Sequence, residues 1–290
     1  MSPYDLLIAP FVEFDFMKRA LVGSFALAMG AAPVGVFLML RRMSLTGDAM
    51  AHAILPGAAI GYLVAGLSLP AMTLGGLIAG VTVAVLAGLV ARFTALKEDA
   101  SLAAFYLLSL AVGVMLVSLR GSNVDLLHVL FGTVLALDDA TLILLASIAS
   151  LTLVAMAAIY RPLVLECMDS SFLRSVSSAG TPVHFIFLGL VVLNLVGGFH
   201  ALGTLLAVGL MMLPAASARL WTQDISVILL ISAAMGVVSG YAGLLVSYHL
   251  GLPTGPSVIS AAGAIYVLSL IFGAEGGFAR RFIPIRHLEA

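Results

Sequence analysis

The chain has 290 residues, of which 62% are hydrophobic and 9% charged; its mean hydropathy is +1.19 and its formal net charge is -1. Soluble globular domains carry about a quarter charged residues, so these few charges cannot cover a water-facing surface, and the chain reads as an integral membrane protein. Near-neutrality leaves no basic footprint for nucleic acid, and the single cysteine, Cys167, excludes a disulfide scaffold.

Residues 1–19 place Asp5, Glu13 and Asp15 ahead of the first apolar run, unlike a cleaved signal peptide. They are expected to form an outer surface segment, with Phe11, Phe14 and Phe16 at the membrane interface. Six runs then lack Asp, Glu, Lys and Arg: Ala20–Leu40, Ala49–Ala91, Ala100–Leu119, Ala140–Tyr160, Ser175–Ala218 and Ile225–Ala274. A crossing helix needs about 20 residues, so three runs hold one helix each and the other three hold two. Within the double runs, breaks are expected at Ser68 and Pro70, at Gly197, Gly198 and His200, and between Gly251 and Pro256.

Two further segments differ from these. Leu126–Leu137 is apolar but covers only about 18 Å as a helix. It is expected to re-enter or lie at the interface, or to belong to an irregular tenth segment. The other is the loop Arg161–Gly180. There Pro162 is expected to end the preceding helix, and Asp169 to cap a short helix over Ser170–Ser178. Phe172, Leu173 and Val176 recur in it at helical spacing. An amphipathic helix of this kind lies on lipid or docks into a partner, and periodicity does not choose between them. Residues 275–290 form a tail. The expected fold is one all-α polytopic domain over residues 1–290, with eight to nine membrane-crossing helices.

Lys and Arg set the orientation. With nine spans and the C-terminus inside, the inner side collects Arg41, Arg42, Arg92, Lys97, Arg161, Arg174, Arg219, Arg280, Arg281 and Arg286; Lys18, Arg19 and Arg120 remain outside. This bias favours an outer N-terminus and an inner C-terminus, and it places Cys167 on the inner side. Close pairs of small residues, Gly57/Gly61, Gly76/Gly80 and Gly236/Gly240, suit tight helix contacts.

Ionisable groups within apolar runs are the candidate functional residues. Asp48 and His52 stand four apart in GDAMAHAILPG, so a helix puts them on one face. A carboxylate and an imidazole make half a site for a divalent transition metal. Equally, Asp48 can cap the helix while His52 bonds a neighbouring carbonyl. Pro56 removes a backbone donor and Gly57 lets the helix bend. Asp125, His128 and His200 lie in outer segments, where they could line an entry path or serve structure, and His249 is also near the outer face. Asn194 needs a hydrogen-bond partner within a span. The chain has no G-x-x-x-x-G-K-[ST], H-E-x-x-H or G-x-S-x-G motif, so it is not expected to be an enzyme.

The run Gly47-Asp48-Ala49-Met50-Ala51-His52-Ala53-Ile54-Leu55-Pro56-Gly57 resembles a motif of the permease subunits of bacterial zinc and manganese ABC importers, the metal-ion ABC-3 family. Gly203-Thr204-Leu205-Leu206 through Met212-Leu213-Pro214-Ala215-Ala216-Ser217-Ala218, and then Pro253-Thr254-Gly255-Pro256, are similar to its later motifs in the same order. The resemblance implies a homodimer in the inner membrane, with cytoplasmic ATPase subunits beneath it and a periplasmic metal-binding protein above. It also implies a coupling helix over Glu166–Gly180, with Glu166, Asp169, Phe172, Leu173, Arg174 and Gly180 meeting the ATPase. Asp48 and His52 become transient metal ligands, and no cofactor is tightly bound. Imidazole inclines the expected cargo to Zn²⁺, with Mn²⁺ or iron as the alternative. Asp48 stands only six residues beyond Arg42, close to the inner face for an outer gate. A secondary metal transporter, which needs no ATPase, and a purely structural membrane subunit are the competing classes.

Overall fold

The computed structural model describes residues 3–66, 68–96, 98–119, 137–168, 173 and 180–278. The described residues form helices and no strand: α1 (Pro3–Leu7), α2 (Ala9–Glu13), α3 (Asp15–Leu40), α4 (Thr46–Ala53), α5 (Leu55–Ala65), α6 (Leu69–Phe93), α7 (Glu98–Leu119), α8 (Asp139–Met168), α9 (Gly180–Leu202), α10 (Thr204–Arg219), α11 (Ile225–Leu250) and α12 (Thr254–Phe272). Taking α4 and α5 as one span, eight helices among the described residues are long and apolar enough to cross a membrane. The ninth apolar helix, α10, has 16 residues and covers about 24 Å, short of the roughly 30 Å hydrocarbon core.

α3 is the axle of the bundle. It packs against α8, α9, α10 and α11, and Ala28, Ala31, Ala32, Val34, Phe37 and Leu38 are fully buried along it. Small residues set its approach to its neighbours. A Cβ on Gly35 would overlap the Met211 carbonyl of α10 at 1.8 Å, and one on Gly236 or Gly240 would press at 3.1 Å on Ala28 or Ser24. Between α5 and α6 the backbones nearly touch, with Gly57 and Gly61 against Gly75 and Ala71. Dispersion at such crossings, and not burial from water, holds membrane helices together. Several hydroxyls within the helices donate to carbonyls one turn back, as Ser217 does to Leu213 and Ser239 to Met235.

The two ends of the bundle are distinguished by their contacts. At one end Arg19 pairs with Asp139 at 3.0 Å, and Asp138 caps α8 by accepting the Thr141 N–H at 2.9 Å. Hydrogen bonds from the Thr141 side chain and then its backbone N–H hold the exposed Asp138 carboxyl below the usual carboxylate range. The N-terminal segment folds onto α11 at this end. Tyr241 donates to the Leu7 carbonyl, His249 Nε2 lies 2.9 Å from the Leu6 carbonyl, and Phe11 stacks on Tyr241. Phe11 is thereby buried against the bundle. At the opposite end the Leu220 carbonyl accepts from Glu275 and Gly276, joining the ends of α10 and α12.

Two local expectations are corrected. The break in the run 175–218 falls at Gly203, whose φ is +86°, and not at Gly197, Gly198 and His200. Gly197 and Gly198 are helical, and they admit Ile148 of α8 and Ala207 of α10 at distances no Cβ would tolerate. Pro162 does not end its helix either. α8 runs through it to Met168, with Leu163 fully buried. The segment expected to re-enter, residues 126–136, lies outside the described residues, whereas Leu137 is buried against Gly23. The tail beyond residue 278 also lies outside them.

Candidate functional site

After α3, the turn 41–45 includes Arg42 in the left-handed region, φ +59°. The chain then re-enters the bundle as α4, with Gly47 against Met212 of α10 and near Leu38 of α3. Asp48 is in the first turn of α4 and His52 in the last. The sequence spacing is realised as geometry: His52 Nε2 lies 3.9 Å from Asp48 Oδ1. Asp48 makes no side-chain cap, and its side chain is 67% exposed against 32% for His52. Beyond His52 the helix breaks at Ile54. Pro56, in the first turn of α5, has no N–H to return to the His52 carbonyl. Pro56 packs against Gly113 of α7 and Gly57 against Gly75 of α6.

The pair sits at the start of a span, beside the end of α3, as its sequence distance from Arg42 suggested. It brings one carboxylate and one imidazole together. Among the described residues no group of three or more His, Cys, Asp and Glu side chains could hold a metal ion. Asp125 and His128 fall outside the described residues. His200 is in the last turn of α9, with its backbone helical. Asn194, buried in α9, donates to Thr152 of α8 at 2.8 Å and to the Leu190 carbonyl at 2.9 Å. That makes it an interhelical tie.

Sequence reasoning missed a second polar cluster at the end of the bundle marked by Leu220. Arg41, just after α3, reaches Glu166 Oε1 of α8 at 3.2 Å and touches His184 Nδ1 of α9, which is 3.7 Å from the same carboxylate oxygen. The side chains are 9%, 11% and 15% exposed, and the guanidinium lies 5.2 Å over the Phe187 ring. Such a cluster is costly to bury unless its members pair. No common sequence signal marks the three: Arg41 follows the run ending at Leu40, Glu166 lies in the segment after Tyr160, and His184 lies within the run from Ser175. Glu166 is thus in the last turn of α8 and faces the bundle. Of the other residues in the expected coupling segment, Leu173 is helical and buried and Gly180 starts α9. Asp169, Phe172 and Arg174 lie outside the described residues.

The model of the ABC 3 transport family matches residues 13–273. The manganese transport system membrane protein MntC of Halalkalibacterium halodurans is 29% identical over 283 residues, which cover 97% of this chain and 96% of that protein. MntC of Bacillus subtilis is 31% identical over 279 residues, covering 93% of this chain and 63% of that protein. A solved structure, PsaBC from Streptococcus pneumoniae in complex with Fab, is similar with a TM-score of 0.83 at 25% identity, over 95% of this chain and 99% of that chain. The family match spans every described helix from α3 to α12, and the sequence has no ATPase motif. The chain belongs to the ABC 3 transport family, the non-enzymatic, multi-pass permease subunits of metal-ion ABC importers.

Proposed function

We propose that this chain forms the ion path of an ATP-driven importer whose cargo is Mn²⁺. The observation that carries the cargo is the relatives' names: MntC of H. halodurans is a manganese transport protein matching nearly end to end, and ScaB of Streptococcus gordonii, 28% identical over 273 residues, is a manganese import permease. This departs from the zinc preference drawn from the imidazole. One carboxylate and one imidazole suit either metal, so ligand chemistry alone does not outweigh the relatives. Zinc is the second reading, and His52 is the observation in its favour.

In this reading a second copy of the chain, two cytoplasmic ATPase subunits and a periplasmic metal-binding protein complete the importer in a bacterial inner membrane. The N-terminus is outside and the C-terminus inside, as the Lys and Arg distribution favours. Asp48 and His52 ligate the ion in transit. Two ligands fall short of the four to six that such ions take, so water and the symmetry-related copy supply the rest. An open shell of this kind lets the ion go. Asp125, His128 and His200 would guide entry, and Pro56 and Gly57 would let the α4–α5 break flex. The segment from Glu166 to Gly180 would carry ATPase motion to α8 and α9. The permease performs no covalent chemistry.

The test is uptake into proteoliposomes holding this chain with its ATPase and binding protein, with Mn²⁺ and Zn²⁺ supplied separately, with and without ATP. ATP-dependent accumulation of Mn²⁺ over Zn²⁺, lost in His52→Ala with assembly intact, is expected. Accumulation without ATP would transfer the chain to secondary transport; preference for Zn²⁺ would overturn the cargo.

A further inference from the structure

Among the described residues the His52 ring has an aromatic neighbour and no hydrogen-bond partner. Its Nε2 faces the exposed Asp48 carboxylate at 3.9 Å. Its Nδ1 is buried and has no hydrogen-bond partner among the described residues. Tyr106 of α7 lies along the ring, with centroids 6.2 Å apart and planes inclined by 29°. One turn on, Ser109 Oγ donates to the carbonyl of Ala53, the residue after His52, at 3.0 Å. Another turn on, a Cβ on Gly113 would meet Pro56 at 3.0 Å. Tyr106, Ser109 and Gly113 are spaced by three and four residues, so they share one face of α7. That face follows α4 and α5 from His52 to Pro56.

Histidines at resident metal sites pass the proton of the non-ligating nitrogen to a carbonyl or carboxylate, which fixes the tautomer and strengthens the ligating nitrogen. For Nε2 to ligate beside Asp48, the proton must sit on Nδ1. Here it meets no acceptor among the described residues. We propose that Tyr106 is a positioning residue of the cargo site, setting the plane of the His52 imidazole by stacking in place of a hydrogen bond. The result is an aimed but weak ligand, which holds an ion briefly and releases it. Ser109 anchors the same turn through the Ala53 carbonyl. The inference rests on the reading of Asp48 and His52 as cargo ligands.

The experiment is equilibrium binding of radiolabelled Mn²⁺ to the purified permease–ATPase complex without binding protein. Tyr106→Leu removes the ring and is expected to weaken binding about three- to tenfold, the worth of one aromatic pairing. Tyr106→Phe, which keeps the ring, stays within about twofold of wild type on the same ground. In a His52→Ala background, Tyr106→Leu changes nothing further, which a role in packing alone would not produce. Tyr106→Met, a flexible apolar filler, replaces the leucine variant if that variant does not purify as a monodisperse complex. Wild-type affinity in Tyr106→Leu alongside loss in His52→Ala overturns the positioning role alone. Equal weakening by Tyr106→Leu with and without His52 also overturns it. Wild-type affinity in His52→Ala overturns the cargo site itself.

Discussion

Replacing Glu166 by leucine leaves the Arg41 guanidinium without its carboxylate in a site where both side chains are about a tenth exposed. Removing one member of a buried ion pair costs about 3–5 kcal/mol. Arg41 keeps His184 and the face of Phe187 as neighbours, so the lower end applies, about 3 kcal/mol. At about 2 °C per kcal/mol for a chain of this length, the thermal midpoint falls by about 6 °C. The assay is the midpoint of detergent-solubilised protein followed by size-exclusion fluorescence. Replacing both members by apolar residues of similar volume is near neutral. The double variant Arg41→Met/Glu166→Leu is therefore expected to melt above either single variant, within about 3 °C of wild type. A double variant whose loss equals the sum of the two single losses would show that the groups are not coupled, and the cluster would then hold nothing together.

Gly57→Ala places a Cβ 2.0 Å from the Gly75 carbonyl, so α5 and α6 must separate, at about 1–3 kcal/mol. The same thermal assay should register the loss, while Gly189→Ala, with open space around its Cβ position, should leave the midpoint unchanged or raised. Asp138 caps α8 as a carboxylate whose pKa is lowered by folding, through the bonds from Thr141. Its contribution is present above the unfolded value near pH 4 and is lost as pH falls through the lower folded value. Hydrogen exchange at the start of α8, corrected for intrinsic rates, should show protection lost in strong acid in the wild type. Asp138→Asn caps without titrating, so it should show no such change; equal behaviour of the two proteins would refute the assignment.

Much of this molecule is determined along the chain. Runs free of charge longer than a bilayer's width dictate helices, because unsatisfied backbone groups are prohibitively costly in hydrocarbon. The four-residue spacing of Asp48 and His52 needs only a helix to bring them together, and Pro56 marks the break that follows. The break after α5 was legible from Ser68 and Pro70 and the one after α11 from Gly251 and the prolines that follow it; Gly66 and Gly251 both stand at positive φ.

Local rules failed where a partner distant in sequence decided the outcome. Nothing near Gly198 says that Ala207 must pass within 2.5 Å of a Cβ there, so the turn falls at Gly203 instead. Proline removes a backbone donor and commonly breaks a helix, but prolines are tolerated in membrane helices because neighbouring groups re-satisfy the freed backbone; α8 continues past Pro162 to the buried Leu163 and the paired Glu166. Tyr106 stands 54 residues from His52 and Arg41 stands 125 from Glu166, so neither contact leaves a periodic trace. Helix existence and the Asp48–His52 pair follow from backbone satisfaction and helical pitch, which act over a few residues. The orientation of His52, the burial of Arg41 and the place of each turn follow from how the helices pack, because only packing sets which side chains meet and which charges leave water.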